Sequence, residues 1–237
     1  MKIGPFSVIS ANVEIGDDCE IGNHVTIRNN TFIGNKCKIF HCASIGEIPQ
    51  DLKFCGEKTI TIIGDNTVIR EYVTVNRGTD ALKKTEIGSN VLIMASCHIA
   101  HDCIVGDNVI MSNLSTLGGH VNIGNWAVLG GGVLVHQFSK IGEHCFIGGG
   151  FRVVQDVPPY ILAAESPLKF QGINSVGLKR RGFSLEERQI IKNVYKIFFL
   201  SKQNRKDSLS KINDQYSNNK IVKNIISFIM LSERGII

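Results

Sequence analysis

Isoleucine occupies positions 3, 9, 15, 21, 27, 33, 39 and 45, an unbroken spacing of six. The spacing resumes at Ile63, Ile69 and Val75. It then runs without a gap through Ile87, Ile93, Ile99, Val105, Met111, Leu117, Ile123, Leu129, Val135, Ile141, Ile147 and Val153. Four residues after each aliphatic comes a small or slim side chain, among them Val13, Cys19, Val25, Thr31, Cys37 and Ala43, and later Val91, Cys97, Cys103, Ser115, Ala127 and Cys145. This is the hexapeptide pattern of a parallel β-helix. Each hexapeptide forms one flat face of a triangular coil, so that three make a turn of about 18 residues. The aliphatic points inward and stacks on its equivalent one coil on, at the usual strand separation of about 4.8 Å. The second inward position admits only a small group. Glycine, Asn or Asp is expected at the corners, where the backbone can turn left-handed. The period alone does not set the hand of the coil.

Composition agrees with a core of thin aliphatic layers: 43% of the chain is hydrophobic, only 7% is aromatic, and there are 24 glycines. No apolar run approaches the ~20 residues of a membrane span, and the first residues enter the repeat at once, so neither a span nor a signal peptide is expected. A net charge of +5 makes a weak case for nucleic acid. Five of the seven cysteines (Cys19, Cys37, Cys97, Cys103, Cys145) fall in the small inward slot and are expected as core filler. Cys42 and Cys55 fall outside it, and no CxxC pair exists. No metal site on cysteine is expected, and a reduced, cytoplasmic protein is the simplest reading.

Two segments interrupt the repeat while the aliphatics on either side keep phase: 47–60 (EIPQDLKFCGEKTI) and 78–84 (GTDALKK). Loops extruded from a rigid solenoid tend to carry function. The β-helix is expected over 1–157. An irregular connector over 158–183 follows, with Pro158 and Pro159 opposing regular structure. Ser184-Leu185-Glu186-Glu187 reads as a capping box that opens a helical domain over 184–237. An apolar face of Ile190, Ile191, Val194, Tyr195, Phe198 and Phe199 follows it, with further helices near 208–215 and 219–233.

His98, His101, His120 and His136 cluster in the later coils and avoid both inward slots, which predicts an outward polar stripe along one edge. A repeat of this length sets Asp102 beneath His120, Thr116 above His98, and Phe138 above His120. One reading is zinc, as in the γ-class carbonic anhydrases, which share the solenoid; the spacing here lacks their close histidine pair. The other is general-base catalysis, for which histidine titrates in the right range.

The strings IGEIPQDLKF, IREYVTVNRGT, HIAHDC, LGGHVNIG, VHQF, QDVPPY and GLKRRGF occur in this order and span nearly the whole chain. Together they resemble the UDP-N-acetylglucosamine O-acyltransferases. The resemblance implies a left-handed coil and the first acyl transfer of lipid A biosynthesis, with a 3-hydroxyacyl chain passing from acyl carrier protein to the glucosamine 3-position. It implies no cofactor and a homotrimer with its sites between subunits. It makes His101 the general base, Asp102 its support and the Gly119 N–H the oxyanion donor. Asp51 and Lys53 would hold the glucosamine, and Asn76, His98, His120, His136 and Gln137 would line the cleft. Asn174, Arg180 and Arg181 would bind the nucleotide, and Gly149 would set acyl-chain length. Asn76 and Pro167 stand where some members have His, and Val176 where an acidic residue can contact ribose. The 3-amino analogue of the sugar nucleotide remains open as acceptor, as does docking of the acidic carrier protein on the KRRG cluster. The later N-acyltransferase of the same pathway, a coenzyme A-dependent acetyltransferase and a non-catalytic solenoid are the rival readings.

Overall fold

The structure is a computed structural model that describes residues 1–201 and 203–237. Three parallel sheets form the faces of a triangular prism. The first face begins at Lys2–Ile3, the second at Val8–Ile9 and the third at Glu14–Ile15. Lys2 pairs with Glu20 and Ile3 with Ile21, one coil on. At the insertions the register lengthens, Val68 pairing back to Lys38 and forward to Leu92. The extra residues leave as loops, and the strands on either side stay stacked.

From Ile21 onward the periodic aliphatics are buried, as expected. Each contributes about 2 kcal/mol by leaving water. Ile3 and Ile9, on the first described coil, are 48% and 37% exposed and stack on the coil that follows. The five slot cysteines are buried and free, Cys42 is half-buried and Cys55 is exposed. The slot has a polar requirement as well as a steric one. Thiols there donate to corner carbonyls, Cys37 Sγ to Gly64 O at 3.1 Å and Cys103 Sγ to Gly118 O at 3.2 Å. Ser115 Oγ does the same to Gly130 O at 3.1 Å. Burial pushes the Cys37 and Cys97 thiols up to about 11 and those of Cys103 and Cys145 up to about 12, so they remain donors.

The corners differ from expectation. Besides Asn and Asp, bulky residues hold left-handed backbone, including Phe6, Tyr72, Leu114, Trp126 and Phe138. At three of the corners the strain of about 1–2 kcal/mol is countered by stacking on the equivalent side chain of the neighbouring coil. Phe6 stacks on His24, His120 on Phe138 and Trp126 on His144.

The connector also differs from expectation. Ile161–Ala164 adds a further parallel strand to the first face, and Lys169–Ile173 returns antiparallel to it. The prolines do not prevent this, because they sit at a turn where the coil requires no strand N–H of them. Val157 still bridges Ile141. Helix α1 (Ser175–Arg180) follows, then α2 (Leu185–Leu200), α3 (Arg205–Tyr216) and α4 (Lys220–Met230). The Ser184–Glu187 capping box forms as read. Tyr195 Oη donates to Pro159 O at 2.6 Å and ties α2 across this end of the prism.

Candidate active site

Both insertions and all four histidines of the cluster lie along one corner, between the second and third faces. The loops leave it after Ser44–Glu47 and Thr74–Asn76, and His101–Asp102, Gly119–His120 and His136–Phe138 follow on the next three coils. Asp102 and His120 hold the left-handed corner conformation, with φ of 58° and 62°. That conformation turns their side chains toward each other along the edge.

The centre of the corner is the buried Asp102 carboxylate. His101 Nδ1 lies 2.8 Å from Oδ2, and His120 Nε2 lies 3.8 Å from the same oxygen. The second insertion supplies Thr79 N–H and Leu82 N–H to Oδ1 at 2.9 and 3.2 Å, and the Thr79 hydroxyl to Oδ2 at 2.6 Å. Burial raises the Asp102 pKa, but the donors from Thr79 and His101 outweigh it and hold the group below the ordinary carboxylate range. With Nδ1 committed to Asp102, His101 presents Nε2 as its free basic atom.

The histidines line the outer edge of the prism as expected of them, but their exposure is uneven. The His101 side chain is only 14% exposed and that of His120 19%, because both fold in over Asp102. His120 meets His101 edge-on and stacks on Phe138 with centroids 4.4 Å apart. Burial lowers its pKa, while the charges of Asp102 and Asp51 oppose that shift. Asp51, on the first insertion, is thus brought within electrostatic reach of His120, with Lys53 exposed two residues on. His98 pairs its Nδ1 with Thr74 Oγ1 at 2.7 Å, and burial, then His101, lowers its pKa. His136 and Gln137 are exposed at the next coil.

Gly119 lies under the His101 ring. Its N–H makes no hydrogen bond among the described residues. Asn76 is 3% exposed and donates to Ile48 O at 2.7 Å, which fastens the first loop at its root.

Arg180, Arg181 and Asn174 are not brought to this corner. They sit at the corner between the third and first faces, around an aromatic column of Trp126, His144 and Tyr160. Arg181 lies over the Trp126 ring at 5.2 Å and its Nη1 is 3.3 Å from His144 Nδ1, whereas Arg180 is exposed. Burial, then Arg181, pushes His144 down to about 4, so it faces the guanidinium as a neutral acceptor. Asn174 caps α1 through Gly177 N–H and donates to His144 O, so both ends of its amide are used within the fold. A cavity of about 670 Å³ opens here, with Ile110, Val128 and Phe146 as apolar floor and the arginines at its rim. Gly149 lies at the third corner. Three corners of one prism therefore divide the residues singled out in the sequence.

His101, Asp102 and His120 place their ligand atoms within 4.8 Å of one another. The donor set suits a cation poorly, because both Asp102 oxygens already accept hydrogen bonds and Nδ1 of His101 is turned to one of them. The set suits a base held by a carboxylate.

Residues 2–29 and 84–119 match the profile of bacterial transferase hexapeptide repeats, and 156–237 match the second domain of UDP N-acetylglucosamine O-acyltransferase. The chain is 46% identical over 235 residues to the acyl-[acyl-carrier-protein]–UDP-N-acetylglucosamine O-acyltransferase of Thermodesulfovibrio yellowstonii, covering 99% of this chain and 91% of the relative. It is 43% identical to the enzyme of that name from Thiobacillus denitrificans, covering 100% of this chain and 92% of the relative. The crystal structure of Francisella novicida UDP-N-acetylglucosamine acyltransferase superposes with a TM-score of 0.97 at 40% identity, covering 99% of this chain and 87% of that one. The coil has the left hand of these structures.

Proposed function

The chain belongs to the UDP-N-acetylglucosamine O-acyltransferase family, and from that premise we propose how its residues move a 3-hydroxyacyl chain from acyl carrier protein to the sugar nucleotide, the first step of lipid A biosynthesis. The observation that carries the reading is the His101–Asp102 pair set beside an uncommitted N–H at Gly119. Nε2 of His101 takes the proton of the sugar 3-hydroxyl as its oxygen attacks the thioester carbonyl. Asp102 stabilises the imidazolium so formed. The carbonyl oxygen gains negative charge and is met by the Gly119 N–H, a kind of contact worth about 3 kcal/mol in the transition state. The C–S bond then breaks, and the proton passes from Nε2 to the departing thiolate. Products are the ester and the free carrier thiol.

Asp51 and Lys53 hold the glucosamine from the first loop, and His98, His120, His136 and Gln137 line the cleft along the same edge. Arg181 binds the nucleotide phosphates from the third–first corner, assisted by Arg180. Because these groups occupy different corners, a complete site needs two prisms side by side. A homotrimer with parallel axes supplies three such sites, each His101 corner facing the Arg181 corner of its neighbour. The acyl chain runs between subunits past Gly149.

The test is an acyl-transfer assay with UDP-N-acetylglucosamine, its 3-amino analogue and a panel of 3-hydroxyacyl carrier proteins. Ester formation is expected, with His101→Ala lowering kcat by about 10²–10⁴. Because the imidazole is mostly buried, a loss of about 1 kcal/mol in stability should accompany it. Near-wild-type turnover in His101→Ala would place the chemistry elsewhere.

A further inference from the structure

Three of the four hydrogen bonds that Asp102 receives at 3.2 Å or less come from the second insertion, two of them from Thr79. The hydroxyl of Thr79 has a fixed sense. It accepts Ala81 N–H at 3.3 Å, so its own proton points to Asp102 Oδ2 at 2.6 Å. The insertion is itself tied down, Lys83 N–H donating to Thr79 O at 2.8 Å and Asp102 N–H to Thr85 Oγ1 at 2.9 Å. Each carboxylate oxygen thus holds two donors, and the group cannot rotate without losing one.

Rotation matters because two imidazoles compete for Oδ2. His101 Nδ1 holds it at 2.8 Å and His120 Nε2 waits at 3.8 Å. The Thr79 hydroxyl and N–H fix the carboxylate plane in the orientation that serves His101. Without the hydroxyl, the buried oxygen would recover a partner most readily by turning toward His120.

We propose that Thr79 is a positioning residue for the reaction, its hydroxyl fixing Asp102 so that the carboxylate aims His101 rather than His120. The proposal rests on His101 being the base. It gives the second insertion a task, that of a clamp built around one carboxylate.

Thr79→Val removes the hydroxyl at nearly constant volume, and Thr79→Ser keeps it. In the acyl-transfer assay Thr79→Val should lower kcat about 10- to 100-fold, as loss of a hydrogen bond to a charged group does. KM for the sugar nucleotide should stay within about twofold, and Thr79→Ser should stay within about threefold of wild type. Combined with His101→Ala, Thr79→Val should cost nothing further, since it acts through that ring. Wild-type kcat in Thr79→Val, equal losses in the Val and Ser variants, or a loss confined to KM would each overturn the proposal. If Thr79→Val does not fold, Thr79→Ala against Thr79→Ser is judged by the same criteria. An active His101→Ala would remove the underlying base assignment, whereas an inactive His101→Ala beside an unimpaired Thr79→Val removes only the role given to Thr79.

Discussion

The imidazole of His101 occupies the place a side chain would take at Gly119: a methyl group there would lie 2.6 Å from its Cε1 and 2.7 Å from its Nε2. Glycine at 119 is therefore a condition for the ring being where it is. Gly119→Ala should leave the coil folded, since φ at that residue is not left-handed, and should push the ring off its line. A displacement on the order of 1 Å at a reacting group costs about 10²-fold in rate. We expect that loss in kcat, with KM for the sugar nucleotide little changed, measured by steady-state kinetics beside a thermal melt. An Ala variant with full activity would show that the ring has room to spare.

The two arginines should separate in kinetics as they do in space. Arg181 is half-buried between Trp126 and His144, while Arg180 is exposed. Arg181→Ala should raise KM for the sugar nucleotide by about tenfold or more, the usual scale for a charge-assisted contact, and leave KM for the acyl donor near wild type. Arg180→Ala should have the smaller effect on the nucleotide. The reverse pattern, with the acyl donor weakened and nucleotide binding intact, would make this cluster a docking surface for the acidic carrier.

How far the sequence could be read depended on whether a residue lay within the repeat. The period placed Ile27, Ile45 and Ile99 in the core and put Thr116 on His98 and His120 under Phe138, because stacking makes neighbours of residues one coil apart. Thr79 escaped it. An insertion has no register, so nothing in GTDALKK says that its one hydroxyl returns to Asp102. The first loop likewise hid the burial of Asn76, which holds it through Ile48 O. Trp126 and His144 were in register and still went unread, since a corner was expected to hold Asn, Asp or Gly. The run of apolar residues in ILAA was masked by the prolines before it, although Pro159 belongs to a turn.

Gly148, Gly149 and Gly150 each have a local reason to be glycine, which sharpens the test of the acyl groove. A methyl at Gly148 would meet the Phe151 ring, one at Gly149 would lie 3.0 Å from Gly131 O, and Gly150 has φ of +77°. Gly149 alone of the three is both exposed and free of a left-handed backbone. Gly149→Met should cost about 1 kcal/mol in stability from that close approach. If the groove passes it, donor preference should also shift several carbons shorter, each lost buried methylene being worth about 0.8 kcal/mol. Activity across a series of 3-hydroxyacyl chain lengths decides. An unchanged preference, or a uniform loss at every length, would leave the glycines as corner residues only.

The depressed pKa of His144 predicts a limb in stability against pH. Its value falls from the usual 6.5 to about 4 through burial and the facing Arg181. The unfolded chain therefore binds a proton that the folded chain refuses between those values. The contribution is complete above about pH 6.5 and is lost as pH falls toward 4. Melting temperatures of wild type and His144→Gln, which keeps an acceptor for Arg181, should diverge least below pH 4 and most above 6.5 if the glutamine packs less well. The slope between should be shallower in the variant. Parallel curves through that window would mean that His144 takes its proton as readily folded as unfolded.

Because each strand pairs only with the coils on either side, the prism can form and dissolve by nearest-neighbour steps, as a one-dimensional stack does. At its helical end the stack is tied across by Tyr195 Oη on Pro159 O. Loss of structure should travel through the prism coil by coil. The corner that joins Thr79, Asp102 and Gly119 belongs to three successive middle coils, so it cannot exist until that stretch has zipped. Coils on both sides shield it, so partly melted chains should keep the Thr79–Asp102–Gly119 corner after outer coils have gone.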